Sequence, residues 1–437
     1  MTTNDRPLWE FLVPPSAYGD PSRTAVRASG VRVAMADGST LLCGTSGLWN
    51  VNFGYGNPAI AEAVHAALLD ASYLSLFRYG HEYANRAAGA LLDAAGPEAF
   101  GRVLFSTSGS AANDTVMKLV RQYAVLRGER GRKLVVGLRG SYHGLTYGSS
   151  ALTGEDLGQE LYGVDRRLVR HVSPHDVEEL RALCAREGER IAALVLEPVL
   201  GTGAIEVPDA FVAAAGRLAD EHGFALVADE VATGFHRTGP FRASAAWARQ
   251  PDLVVLSKGL TNGTCAASAI VIGRRVVEAF DAADAVFVHG ETQAGTPPTA
   301  AAILATLQVA RETVADGRVE ALARRLDAGL QALAAAAGGR VRLTGRGLFR
   351  GLVVSGRDGL PLDGPATAAL VAETRRAGAI VHNGLGGIQL LPALTYSDAE
   401  IDELLGCLAD GLSTAQGVCF DDVSTVPQPR AGLVGVR

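Results

Sequence analysis

Phe224-Ala-Leu-Val-Ala-Asp229-Glu230-Val231-Ala-Thr-Gly234-Phe-His-Arg237-Thr238-Gly239, with Leu253-Val-Val-Leu-Ser-Lys258 shortly after it, decides how this chain is read. Phe224 to Ala228 and Leu253 to Leu256 are short apolar runs, and runs of that length read as buried strands. Asp229 and Lys258, 29 positions apart, stand at the ends of these runs. In an open α/β sheet, ligands bind outside the carboxyl ends of the strands. An acid and an amine at the ends of neighbouring strands would therefore face one crevice. Partial desolvation or a nearby cation lowers the pKa of an ammonium and exposes an amine able to form a Schiff base with a carbonyl. Taken singly, a strand-end lysine reads as a solvated surface group, and a strand-end aspartate is ordinary. The pair carries the chemistry.

The surroundings supply the fold. From Pro58 to about Arg311, apolar strands at 103–105, 134–138, 191–196, 225–229, 253–257 and 267–272 alternate with amphipathic helices. This alternation predicts an α/β fold with a mostly parallel sheet between helices. Residues 1–50 read as an N-terminal arm plus part of a small domain, with a hairpin at Val31 to Leu42 turning on Asp37-Gly38. Residues 51–315 read as a large cofactor-binding domain and 316–437 as a small α+β domain. The latter opens with a long helix, Arg318 to Ala336, and holds short strands at 340–343, 348–354, 380–382 and 388–391. The tail beyond Gly417, with Pro427 and Pro429, has no periodicity and reads as loosely ordered.

Composition excludes several classes. A formal charge of −6 with few basic clusters argues against a nucleic-acid surface. No apolar run is long enough to suggest a membrane span. The five cysteines, Cys43, Cys184, Cys265, Cys407 and Cys419, are scattered, with no spacing that suggests zinc or another metal. Their sparse, odd count, with no signal peptide in view, reads as reduced cytoplasmic thiols.

Pyridoxal 5'-phosphate needs the Lys258 and Asp229 pair. The lysine holds its aldehyde, and a carboxylate keeps the ring nitrogen protonated so that the ring acts as an electron sink. Val231 would pack on one ring face. The stretch from Asp229 to Gly239, with Lys258 in Leu-Ser-Lys-Gly, closely resembles the signature of class III pyridoxal phosphate-dependent aminotransferases. These are fold type I enzymes that include ornithine, 4-aminobutyrate and omega-amino acid transaminases. The resemblance runs from about residue 20 to 415 and implies a large domain with a seven-stranded sheet.

Other segments fall in family order. Phe105-Ser-Thr-Ser108-Gly109-Ser110-Ala111 joins a strand to a helix. Free N–H groups and the helix dipole make such a helix start a phosphate site. The resemblance puts Gly109 and Ser110 on the cofactor phosphate, with Ala111 where an acid is usual. In Gly140-Ser-Tyr142-His143-Gly144 it makes Tyr142 the aromatic stacked on the pyridine ring, with His143 shaping the turn. Glu197, at the strand end Leu196-Glu197-Pro198, resembles the family's active-site glutamate. Thr292, in His289-Gly290-Glu291-Thr292-Gln293, would reach the phosphate bound by the other subunit of a homodimer. Trp49, in Ser46-Gly47-Leu48-Trp49-Asn50, falls in the substrate pocket. Each position also has a plainer reading: a capped helix, a turn tyrosine, a solvated acid or a core tryptophan.

One expected residue is missing. Relatives acting on amino acids carry a small-domain arginine that forks onto the substrate carboxylate. Here Gly387-Ile388-Gln389-Leu390-Leu391-Pro392 puts Gln389 at that place in the substrate-binding pocket. Either Arg78, Arg346 or Arg350 supplies the clamp, or one substrate has no carboxylate beside its carbonyl. Leu48-Trp49-Asn50-Val51-Asn52 and Leu260-Thr261-Asn262-Gly263-Thr264-Cys265 also resemble aminotransferases of bacterial peptide natural-product pathways, the daptide type, part of RiPP biosynthesis. That likeness implies amination of a ketone at a peptide C-terminus. The leading expectation is transfer of an amino group from a small-molecule amino donor to a ketone or aldehyde acceptor. An aminomutase, epimerase or decarboxylase would keep the same cofactor residues, and a binding protein could retain the fold.

Overall fold

The structure is a computed structural model and describes residues 7–419; the tail from residue 420 lies outside the described residues. At its centre is a seven-stranded sheet. Across the sheet the strands run Phe100–Ser106, Ser268–Gly273, Leu253–Leu256, Ala225–Asp229, Ile191–Leu196, Leu134–Leu138 and Val169–Val172. Ladders from Leu253–Leu256 through to Val169–Val172 are parallel. Ser268–Gly273 is antiparallel to both of its neighbours. The stretch between Leu256 and Ser268 holds only a short 3-10 turn, Lys258–Thr261, and is too short for a right-handed helical crossover.

Continuous burial explains the apolar runs. Every residue of Ile191–Leu196, Ala225–Asp229 and Leu253–Leu256 is buried. Alternate side chains feed opposite cores. Val195, Val227 and Val255 pack under the helix Gly109–Leu126. Leu194, Leu196 and Leu226 pack with Leu183 and Phe211 of the helices Val177–Glu187 and Asp209–His222. Truncating one such leucine to alanine costs about 2–5 kcal/mol.

The sequence reading missed Val169–Val172, whose central residues Arg170 and His171 are only half-buried. It is an edge strand with a single partner, so its pattern is polar where central strands are apolar.

The expected hairpin forms, with Arg32–Met35 antiparallel to Thr40–Cys43. Thr40–Cys43 also takes Ala379–Ile380 as a parallel neighbour, which ties the beginning of the chain to its C-terminal part. A second four-stranded sheet runs Val341–Arg346, Phe349–Val354, Gly387–Leu390, His382–Gly384. The helix Arg318–Ala336 occupies the predicted span.

Candidate active site

Asp229 ends its strand on the row where the sheet's parallel strands finish. Its side chain is buried and held from three sides. Asn113 Nδ2 and His143 Nδ1 each lie 2.8 Å from Oδ2, and the Val231 amide donates to Oδ1 at 3.1 Å. Because Oδ2 accepts, His143 Nδ1 carries the proton. Burial pulls the imidazole down, but the Asp229 carboxylate outweighs it and holds His143 above its ordinary pKa. The reading of His143 as a turn residue is therefore corrected: it braces the carboxylate. Its motif was visible, but its partner lies 86 residues further along. Asn113 was missed for the same reason.

Lys258 follows Leu253–Leu256 by two residues and adopts φ 45°. A left-handed lysine costs on the order of 1–3 kcal/mol, and such strain collects at functional sites. Its Nζ stands 4.5 Å from the centre of the Trp49 ring. Burial lowers the amine to about 8; Asp229 and Glu197 oppose this, and Arg237 adds to it. Near pH 7 about a tenth of the amine is therefore neutral, far more than for an ordinary lysine.

Glu197, buried, accepts the Tyr142 amide and the Gly201 amide, both at 2.9 Å. Burial pushes its carboxyl up. The Tyr142 ring is exposed.

The helix Gly109–Leu126 is capped by Ser108, whose hydroxyl accepts the Ala111 amide at 3.1 Å. Helix geometry leaves the Gly109 and Ser110 amides without intrahelical acceptors. A Cβ added at Gly109 would stand 3.2 Å from Val231 Cγ1, so glycine keeps this helix start against the Asp229 segment. Thr292 is exposed, and its carbonyl accepts the Tyr73 hydroxyl at 3.1 Å. Among the described residues no hydrogen bond joins its side chain to the groups around Lys258.

Trp49 reaches the site through a tight turn in which Ser46, Gly47 and Trp49 all have positive φ. Its indole N–H donates to His382 Nδ1 at 2.9 Å, and its ring packs on Phe349 with centroids 5.5 Å apart. Gln389 is buried, and its amide donates to the Gly201 carbonyl at 2.5 Å. One N–H of that amide is committed to the loop after Glu197. Of the arginines expected as substitute clamps, Arg350 is paired with Asp327, Arg346 stands 3.6 Å from Glu206, and Arg78 is exposed. Sequence reasoning also missed Arg237, which is fully buried. It bonds to Asn52, Ser46 and the carbonyls of Pro392 and Leu348, and burial lowers it to about 9.

The arrangement fits pyridoxal phosphate on its own terms. A desolvated lysine, a braced buried carboxylate and a helix start with free amides converge where parallel strands end. Comparison agrees. The model of the aminotransferase class-III family matches residues 15–412. An omega-aminotransferase of Caulobacter vibrioides is 30% identical, covering 91% of this chain and 95% of its own. An acetylornithine aminotransferase of Mycolicibacterium smegmatis is 32% identical over 95% and 99%. Among solved structures, an amine transaminase from an uncultivated Pseudomonas species, with pyridoxal phosphate bound, superposes with TM-score 0.88 at 28% identity, covering 94% and 99%. The chain belongs to the class III aminotransferases, enzymes of fold type I that depend on pyridoxal phosphate.

Proposed function

We propose that this aminotransferase accepts a ketone or aldehyde with no carboxylate beside the carbonyl, and specifically a peptide ending in a ketone. The observation that carries the reading is Gln389. A neutral amide, already bonded to Gly201, stands where a carboxylate-binding arginine is expected. Two of the other candidate arginines are engaged by acids. Burying a substrate carboxylate with no cation opposite it is costly. The peptide itself rests on the likeness to daptide-type enzymes.

In this reading Lys258 holds the cofactor and moves a proton at the substrate carbon, a task suited to an amine near pKa 8. Pyridoxal phosphate, when bound, supplies the aldehyde and the electron-withdrawing ring. Asp229 would face the ring nitrogen, its carboxylate held in place by Asn113, His143 and the Val231 amide. Gly109 and Ser110 hold the phosphate, Tyr142 and Val231 flank the ring, Glu197 fixes the Tyr142 turn, and Trp49 walls the substrate side.

We further propose a cytoplasmic homodimer in which Thr292 completes the partner's phosphate site. In its favour, the apolar side chains of Trp9, Phe11, Leu12, Tyr73, Phe77 and Val288 are exposed and available to a partner chain. Thr292 is exposed beside Tyr73, whose hydroxyl donates to its carbonyl. Cys43, Cys184, Cys265 and Cys407 are free thiols, in keeping with a reducing compartment.

The test is a panel of amino donors and acceptors read by mass spectrometry, including pyruvate, simple ketones and peptides ending in a methyl ketone. Preference for the ketones by kcat/KM is expected. A strong preference for 2-oxo acids would overturn the acceptor assignment while leaving the aminotransferase intact.

A further inference from the structure

His382 opens the short strand His382–Gly384, and its register partner across the ladder is Gln389. Paired residues share one face of a sheet. On that face Gln389 bonds the Gly201 carbonyl, and a Cβ at Gly201 would stand 3.4 Å from the Trp49 ring. Trp49 in turn donates its indole N–H to His382 Nδ1 at 2.9 Å, while the Lys258 amine lies over the same indole. His382, Trp49, Gln389 and Gly201 therefore make one continuous wall beside the reactive amine.

The indole fixes the histidine chemically. An indole nitrogen can only donate. His382 Nδ1 must therefore accept, and a neutral ring then carries its proton on Nε2. Burial, aided by the positive charge of Lys258, keeps the ring below its ordinary pKa, which favours this neutral form. Among the described residues no hydrogen bond uses Nε2, and the side chain is only half-buried. The wall thus carries one uncharged N–H donor with no protein acceptor among the described residues, beside a glutamine that already gives one N–H to Gly201.

We propose that His382 is a substrate-recognition residue, whose Nε2–H meets a neutral oxygen, that of an amide carbonyl, flanking the carbon that receives the amino group. The proposal rests on the carboxylate-free acceptor reading and deepens it. A neutral donor suits an amide oxygen and offers little to an ionised carboxylate, for which charge-assisted donors are about twice as strong. Trp49 acts through it as a positioning residue that selects the tautomer.

The experiment uses the holoenzyme and two ketone acceptors of matched length. One carries an amide next to the ketone-bearing carbon, the other a methylene in its place. His382→Phe keeps ring volume and removes the donor. It should raise KM for the amide-bearing ketone about tenfold more than KM for the plain ketone, the size of one lost hydrogen bond. Trp49→Phe should weaken the same discrimination without abolishing it, because the freed imidazole can turn but still carries a proton on Nε2 for much of the time. The double variant should lose no more than His382→Phe alone. His382→Gln, which restores an N–H donor, should recover part of the preference. Equal losses on both ketones, or additive effects of the two variants, would reduce His382 to a packing residue and overturn the proposal. The wild-type ratio of ketones to pyruvate is read in the same assay. It judges the acceptor reading separately, since a pyruvate-preferring enzyme can still show or lack the amide discrimination. Cofactor absorbance and melting temperature establish that each variant is folded and loaded.

Discussion

The two ends of the site are built differently. The cofactor end is assembled from the large sheet and its helices. Asp229, Lys258, Gly109 and Glu197 all sit where strands give way to turns, and three donors fix the Asp229 carboxylate. The substrate end is assembled across lobes. Trp49 comes from the first fifty residues, Gly201 from a loop beside the sheet, and His382 and Gln389 from the C-terminal sheet. Arg237, with neutral oxygens as partners, fastens these pieces together by bonding Asn52, Ser46 and Pro392. One end is therefore specified by short contiguous motifs, the other by contacts between distant segments. Perturbing the first should abolish chemistry, and perturbing the second should redirect it.

The largest effect is expected at Lys258. On the proposed reading Lys258→Ala removes both the covalent anchor and the proton carrier, and turnover should fall on the order of 10⁴-fold. Borohydride reduction of the wild-type holoenzyme, followed by peptide mapping, should place the cofactor on this residue. A cofactor found on any other lysine ends the assignment.

Asp229→Asn should follow, with a loss on the order of 10²–10³ in kcat. The variant should keep bound cofactor, because phosphate contacts lie elsewhere in the site. Near-normal turnover would remove Asp229 from the mechanism and weaken the contrast between the two ends.

This division also marks what was legible in the sequence. Lys258, Asp229 and the parallel sheet follow from apolar runs and their terminal residues, the helix start at Gly109 from its place in the family order, and the observed strands lie where those runs are. Val169–Val172 escaped because an edge strand need not be apolar. His143 and Asn113 escaped because a brace is defined by what it touches, and the touch spans 86 and 116 residues. Gln389 was found only as a departure from a family pattern. Its bond to Gly201 and the pairing of His382 with Trp49 depend on how the lobes meet, which no local pattern encodes.

Gln389→Arg probes the substrate end directly. It inserts a buried cation where a neutral amide now meets the Gly201 carbonyl, and it should lower kcat/KM for a ketone acceptor by about 10–10²-fold. Use of pyruvate should rise relative to the ketone, because the guanidinium can fork onto a carboxylate. An unchanged ratio would show that this position does not set acceptor choice.

The Thr292 assignment predicts complementation. Mixing Lys258→Ala and Thr292→Ala protomers creates dimers with one intact site, so about a quarter of wild-type activity should return when chains exchange at random. Activity no higher than that of either parent would confine each site to a single chain.

The smallest effect, and the one that sharpens the electrostatics of the cofactor end, is the pH dependence of cofactor capture by the apoenzyme. Only the neutral amine of Lys258 attacks the aldehyde. With the amine lowered to about 8, the reactive fraction should rise roughly tenfold between pH 7 and pH 9 and then level off. An amine at its ordinary value would gain about a hundredfold over the same interval and keep rising. The sign of each contribution can be tested as well. Burial disfavours the ammonium, while the Asp229 carboxylate favours it. Asp229→Asn should therefore move the inflection to lower pH and speed capture at pH 7, even as it cripples turnover. Stopped-flow absorbance of the reconstitution reaction reads both quantities. An inflection that stayed fixed in Asp229→Asn would mean that the carboxylate and the amine do not share the crevice that the strand ends place them in.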